Sequence, residues 1–208
     1  MLRTVFYIAI GYMLGGILFA PITARLLGCG SITEKSADKN PGVANAFTHG
    51  GALCGSVALA LELLKGAVPV AMFVFLHPED PFTDPALALV MAAPVIGHIL
   101  PAFNRFKGGK GIAVSFGVLL GLAPRLAPLL VLAGSFIFFS VVVRISPHIF
   151  RTQIAYITAE GLMLIYSLRA GCLTVWLGFT IIVISICLRL YHSTEEREKV
   201  KINLLWTH

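Results

Sequence analysis

Long apolar runs separated by short polar segments organise this chain, at about 4–27, 52–76, 86–103, 111–123, 126–143, 149–168 and 171–191. A bilayer core of ~30 Å is crossed by about 20 helical residues, so most of these runs have the length of a membrane span. The fourth, "GIAVSFGVLLGLA", has 13 residues and ends at Pro124; it predicts either a short tilted crossing or a re-entrant element. The first run is longer than the ~7–15 apolar residues of a signal peptide and reads as a membrane helix. Pro21, Pro69, Pro94 and Pro128 lie in or near the runs and predict kinks, because each removes a backbone donor. The pattern therefore predicts an all-α membrane protein, a seven-transmembrane-helix bundle with a short fourth helix.

Composition supports the same class. Only 12% of residues are charged, against about 25% in soluble domains, and no polar half remains that would make a separate soluble domain. Residues 1–191 read as one integral membrane domain. Residues 192–208 read as a cytoplasmic amphipathic tail, with Ile202, Leu204, Leu205 and Trp206 on its apolar side. The net charge of +6 lies in short segments beside the apolar runs and not on a long polar face. That distribution disfavours nucleic acid and fits membrane lipids or phosphorylated substrates. Cys29, Cys54, Cys172 and Cys187 show no CxxC spacing and read as small packing residues, with no metal site.

With seven spans, the basic residues fall mostly on one side. Arg25, Lys35, Lys39, Arg105, Lys107, Lys110, Arg144, Arg151, Arg189, Arg197, Lys199 and Lys201 share it, while Arg3, Arg125, Arg169 and the acidic loop "HPEDPFTD" fall on the other. By the positive-inside rule the N-terminus lies outside and the C-terminus is cytoplasmic, in a multi-pass plasma membrane protein whose active face is cytoplasmic.

The unusual loops all lie on that basic side. In "FKGGKG", Gly108, Gly109 and Gly111 tolerate positive φ and let backbone N–H groups approach an anion, to which Lys107 and Lys110 add charge. The glycines also open the fourth helix, whose N-terminus favours phosphate. The stretch lacks the leading glycine and the Ser/Thr of a Walker A loop, so nucleotide binding is disfavoured. In the first loop, Asn40-Pro41-Gly42 marks a turn ahead of Asn45, Thr48 and His49. Glu62 and Lys65 share a helical face inside an apolar run, as a structural ion pair or a pocket-lining one. His98 closes the third helix beside the glycine loop, and Glu160 is intramembrane with no evident partner.

The order "YMLGGILFAPI", "NPGVAN", "LELLKGAVPV" and "GHILPAFNRFKGGKGIAV" resembles the bacterial membrane glycerol-3-phosphate acyltransferase family that uses acyl phosphate, the PlsY type. The resemblance covers roughly the first 120 residues; beyond them it rests on helix count. It implies a seven-helix enzyme that moves a fatty acyl group from acyl phosphate to the 1-hydroxyl of sn-glycerol 3-phosphate, giving lysophosphatidic acid. It implies no metal, nucleotide or other cofactor, and no protein partner is inferable. Asn40, Gly42 and Asn45 match the family's first cytoplasmic motif. His98, Lys107, Gly108, Gly109, Lys110 and Gly111 match its phosphate-binding motif, and Lys65-Gly66 its "KG", with Glu62 in place of the usual Asp.

Departures accompany these matches. Asp38 stands where the family has serine, Lys39 where it has glycine, Ala44 for threonine and Thr48 for arginine; at the third motif, His192 is followed by Glu195 in place of Asn. The residues expected to carry catalysis are Asp38, Asn45, His98 and Lys110, with Lys39, Asn40, Gly42, Lys65, Lys107, Gly108, Gly109 and Gly111 binding phosphate. The runner-up is a non-catalytic anion-binding protein or transporter, although no duplicated half is visible. Acyl-CoA-dependent transfer lacks the His-x4-Asp pair at every histidine.

Overall fold

A computed structural model describes residues 2–77, 79–193 and 201–204. The first apolar run is two helices, α1 (Leu2–Gly15) and α2 (Phe19–Leu26), bent by 44° at the break between them, where one continuous helix was expected. Glycines 15 and 16 weaken the helix at this point. Gly15 also presses against α5 (Ala86–Ile99) so closely that a Cβ there would lie 2.1 Å from the Pro94 carbonyl oxygen.

A short α3 (Ile32–Lys35) is capped by Ser31, whose Oγ accepts from the Glu34 N–H at 3.2 Å. Helix α4 (Val43–Leu76) begins earlier than the polar loop suggested, so Asn45 and Thr48 are helical. It breaks at Gly51, where φ is +82°. Beyond α5, a 3₁₀ turn (Ala102–Asn104) leads to α6 (Ile112–Leu120). Its nine residues rise about 14 Å, less than half of a ~30 Å hydrocarbon core.

Helix α7 (Ala127–Ile137) ends in a π turn (Phe138–Val142) and then a strand, β1 (Val143–Ser146), where continuous helix was expected. Helices α8 (His148–Ala170) and α9 (Leu173–Tyr191) follow. The tail does not form a helix at residues 201–204. These residues are strand β2 (Lys201–Leu204), antiparallel to β1 with Val143 opposite Leu204 and Ser146 opposite Lys201. Pairing satisfies the backbone groups that an isolated edge would leave open. Glu195, Leu205 and Trp206 lie outside the described residues.

Val43–Leu76, Ala86–Asn104 and Leu173–Tyr191 are long and apolar enough to cross a membrane, and the bent α1–α2 pair makes a fourth such element. Small residues let the helices meet backbone to backbone. A Cβ on Gly97 would lie 2.2 Å from the Tyr12 carbonyl oxygen, joining α5 to α1. One on Gly66 would lie 2.4 Å from Val114 O, and one on Gly117 2.1 Å from Leu63 O, joining α4 to α6. Around these contacts Val90, Met91, Val95, Tyr156, Phe179 and Ile182 form the buried core.

The loops form two separate clusters. At one end His77 pairs with Asp84 at 2.9 Å, Arg125 stacks over Phe82, and Thr174 donates to the Phe82 carbonyl. Residues 38–45, 107–111, 148 and 189 gather at the other. Glu160, without an evident partner in the sequence, accepts from the Thr180 hydroxyl of α9.

Gly117→Val forces α4 and α6 apart. Overpacking of this kind costs about 1–3 kcal/mol, and we expect thermal unfolding in detergent to shift down by several degrees. An unchanged midpoint would contradict the backbone-to-backbone contact.

Candidate functional site

The glycine loop is folded onto the end of α5. After Ile99 the chain reverses through Arg105 and Phe106, both left-handed with φ of 51° and 59°, and runs back against His98. The Gly109 N–H donates to the His98 carbonyl at 3.1 Å. A Cβ on Gly108 would lie 1.9 Å from that same oxygen, and one on Gly109 would lie 2.2 Å from the His98 Nε2. Gly108 and Gly109 are thus demanded by close approach and not by positive φ. Only Gly111, at φ +82°, uses the left-handed freedom expected of all three; it caps α6. From α9, Arg189 donates through Nη2 to the Gly108 carbonyl at 2.8 Å and through Nε to that of Gly109 at 3.2 Å.

The first loop is built around Asp38. Its Oδ1 accepts from the Asn40 N–H at 3.1 Å and from Asn45 Nδ2 at 2.8 Å, and Asn45 Nδ2 also reaches the Asn40 carbonyl at 2.7 Å. Lys39, between them, is left-handed with φ 47°, a conformation that suits the glycine found there in the family pattern. The two loops then meet through Asp38 Oδ2 and Lys110 Nζ, 3.1 Å apart, while Lys110 Nζ also lies 3.3 Å from His148 Nε2. The stretches 38–45 and 107–111 are therefore in direct contact.

Beneath this meeting point lies a buried charged cluster. Glu62 is 1% exposed, Lys65 3% and His98 4%. Lys65 Nζ is 2.7 Å from Glu62 Oε2, and His98 Nδ1 is 3.2 Å from the same oxygen and 2.9 Å from Lys65 Nζ. The remaining valences go to the α1–α2 break. Glu62 Oε1 accepts the Phe19 N–H at 3.0 Å, and Lys65 donates to the Ile17 carbonyl.

Two cavities meet at the Asp38–Lys110 pair. The larger, about 920 Å³, is walled by Lys39, Lys107, Lys110 and Arg189, with Asp38 the one acidic wall residue among the described residues and Asn40, Asn104 and Thr33 beside them. The second, about 480 Å³, shares Asp38, Asn40 and Lys110 but continues along Phe47, Leu59, Ala113 and Phe116 between α4 and α6. A further groove past Leu63, Leu120 and Leu129 extends it, sharing Leu59, Ala113 and Phe116. A basic chamber thus opens onto an apolar track, an arrangement suited to an anionic head and an aliphatic tail.

A family described as glycerol-3-phosphate acyltransferase matches residues 5–200. This chain belongs to the glycerol-3-phosphate acyltransferase family. Among relatives with that name, the protein of Albidiferax ferrireducens is 38% identical over 118 residues, 57% of this chain and 52% of its own. That of Pseudoalteromonas translucida is 39% identical over 133 residues, 63% and 62% respectively. The chain thus spans about half to two thirds of the length of these relatives. The crystal structure of PlsY (YgiH), an integral membrane glycerol 3-phosphate acyltransferase, in its glycerol 3-phosphate form superposes with a TM-score of 0.71 at 27% identity. The match covers 90% of this chain and 88% of that one. Its lysophosphatidic acid form gives 0.68 at 28% identity, covering 90% and 87%.

Within this acyltransferase scaffold, Asp38, Lys39, Asn40, Lys107, Gly108 and Lys110 line the basic chamber, and Gly42, Asn45, His98 and Gly111 line the apolar cavity. Lys65 and Gly109, also expected to bind phosphate, line neither of these two cavities: Lys65 is held by Glu62 and Ile17, and Gly109 lies against the His98 ring. Sequence reasoning missed Arg189 and His148. Arg189 resembles any basic residue flanking a span, and His148 follows a turn with no motif around it. Only the fold brings residues about 80 and 40 positions away to the glycine loop.

Removing one member of a buried charged pair leaves its partner uncompensated, at a cost of about 3–5 kcal/mol. Glu62→Gln and Lys65→Met should each lower the unfolding temperature sharply. The double variant should lose much less than the sum of the two, and strict additivity would contradict the coupling.

Proposed function

We propose that this chain transfers a fatty acyl group from acyl phosphate to the 1-hydroxyl of sn-glycerol 3-phosphate, releasing phosphate and lysophosphatidic acid. The observation that carries the reading is the contact of Asp38 with Lys110 where the basic chamber joins the apolar track. The chamber accommodates the phosphorylated head groups and the track the acyl chain. The glycerol oxygen attacks the acyl carbon, the bond from that carbon to the phosphate oxygen breaks, and the phosphate departs.

Lys39, Lys107, Lys110 and Arg189 reduce the repulsion between two phosphates brought together and stabilise the leaving one. Asp38, oriented by Asn45, accepts the hydroxyl proton. Holding both reactants in register supplies about 7–11 kcal/mol of barrier reduction. Acyl phosphate carries its own activation, so the reading assigns no metal, nucleotide or protein partner. His98 acts from behind the loop, positioning Gly109. The gathering of basic loops at one end supports seven membrane passages in the plasma membrane, with the N-terminus outside and both the C-terminus and the chamber cytoplasmic.

Purified protein in detergent, given labelled glycerol 3-phosphate with acyl phosphate, acyl-CoA or acyl carrier protein, should form product only from acyl phosphate. No product with any donor would overturn the assignment. Lys110→Ala should lower kcat/KM by about 100-fold or more, the scale of losing a transition-state anion contact, whereas Arg169→Ala at the opposite end changes little. Asp38→Ala should abolish transfer while the protein still accumulates in the membrane; wild-type turnover in that variant would remove Asp38 from the mechanism.

A further inference from the structure

Cys29 and Cys54, which the sequence presents as unrelated packing residues, lie side by side. Cys54 is 1% exposed near the start of the long segment of α4, and Cys29, partly exposed, packs against the small cluster around it. Both thiols face the same small cluster beside Gly50. A Cβ on Gly50 would lie 2.7 Å from Cys54 Sγ and 3.6 Å from Cys29 Cβ, so both side chains crowd one glycine. Cys29 Sγ donates to the Gly50 carbonyl at 3.4 Å.

Left-handed glycines flank both thiols. Cys29 stands between Gly28 and Gly30, left-handed at φ 68° and 75°, and Cys54 follows the break at Gly51. No atom lies within 4 Å of a Cβ on Gly28 or Gly51. A disulfide needs Cβ atoms ~3.5–4.5 Å apart, and the Cys54 and Cys29 Cβ atoms, 2.9 and 3.6 Å from one point beside Gly50, reach that spacing by a small inward shift.

We infer that Cys29 and Cys54 form a thiol–disulfide switch that controls the first loop of the site. In chemical terms, the Cys29 thiolate attacks one sulfur of a small-molecule disulfide and releases one thiol as a mixed disulfide forms. The Cys54 thiolate then attacks the Cys29 sulfur, and the second small thiol leaves. Two protein thiols are oxidised, one external disulfide is reduced, and the leaving thiolates take up the two protons. Cys29, being accessible, is the attacking residue and buried Cys54 the resolving one.

The bond closes the segment 30–53, which carries Asp38, Lys39, Asn40 and Asn45. It also removes the proton that Cys29 donates to Gly50 and draws in the Cys29 carbonyl, to which Lys35 Nζ of α3 is bound at 3.1 Å. Helix α3 ends just before Asp38, so the shift passes to the Asp38–Lys110 pair.

The switch rests on the proposed reaction for its effect on turnover but not for its chemistry. Reduced protein in detergent is treated with oxidised glutathione and mapped by mass spectrometry. A Cys29–Cys54 cross-link that dithiothreitol reverses is expected, with Cys172 and Cys187 left as thiols. In the cross-linked form Lys110 should react several-fold faster with an amine-directed acetylating reagent. Acyl transfer should fall by about 100-fold, the scale set by a displacement of about 1 Å at reacting groups. Cys29→Ser should keep the reduced activity and lose the response to oxidant. Absence of the cross-link, or unchanged Lys110 reactivity in fully cross-linked protein, would overturn the switch. A reduced protein that cross-links yet never transfers acyl groups would instead overturn the proposed reaction.

Discussion

The structure turns on one buried cluster, Glu62, Lys65 and His98, that completes a broken helix. A helix interrupted at membrane depth exposes amide and carbonyl groups that no water can satisfy. Glu62 takes the Phe19 N–H and Lys65 supplies the Ile17 carbonyl, so the two charges that need each other also repair the break. The bend follows from that repair, and Gly16, Ile17 and Leu18 at the break become part of the chamber wall. Charges that would be ruinous alone in lipid are tolerated because each meets both an opposite charge and a backbone group.

The same cluster reaches the chemistry through His98. Its ring fixes the floor on which Gly108 and Gly109 lie, while Arg189 holds their carbonyls from α9. The glycine loop is thus shaped by contacts on two sides. Lys107 and Lys110 are presented at its ends, one to the basic chamber and the other to the junction of chamber and track. Preorganisation of this kind lowers the cost of holding an anion.

The junction explains why the departures from the family pattern remain compatible with a site. Lys39 occupies a position with glycine-like φ and adds a fourth cation to the chamber. Asp38, in the serine position, gains Lys110 and Asn45 as partners, so the added negative charge is matched where it stands.

Sequence alone determined the class of protein and most of its apolar elements, and it marked the basic loops. Those follow from hydropathy and charge counted along the chain, and bilayer physics acts on such sums. The match of "NPGVAN" and "FKGGKG" likewise marked both loops of the site. Only the tertiary structure decided that Lys65 stands behind the wall, that Arg189 and His148 stand at the loop, and that Cys29 and Cys54 crowd the same glycine. The strand pairing of 143–146 with 201–204 belongs with them. Each of these depends on which residues distant in the chain come within bonding distance, and no local periodicity encodes that.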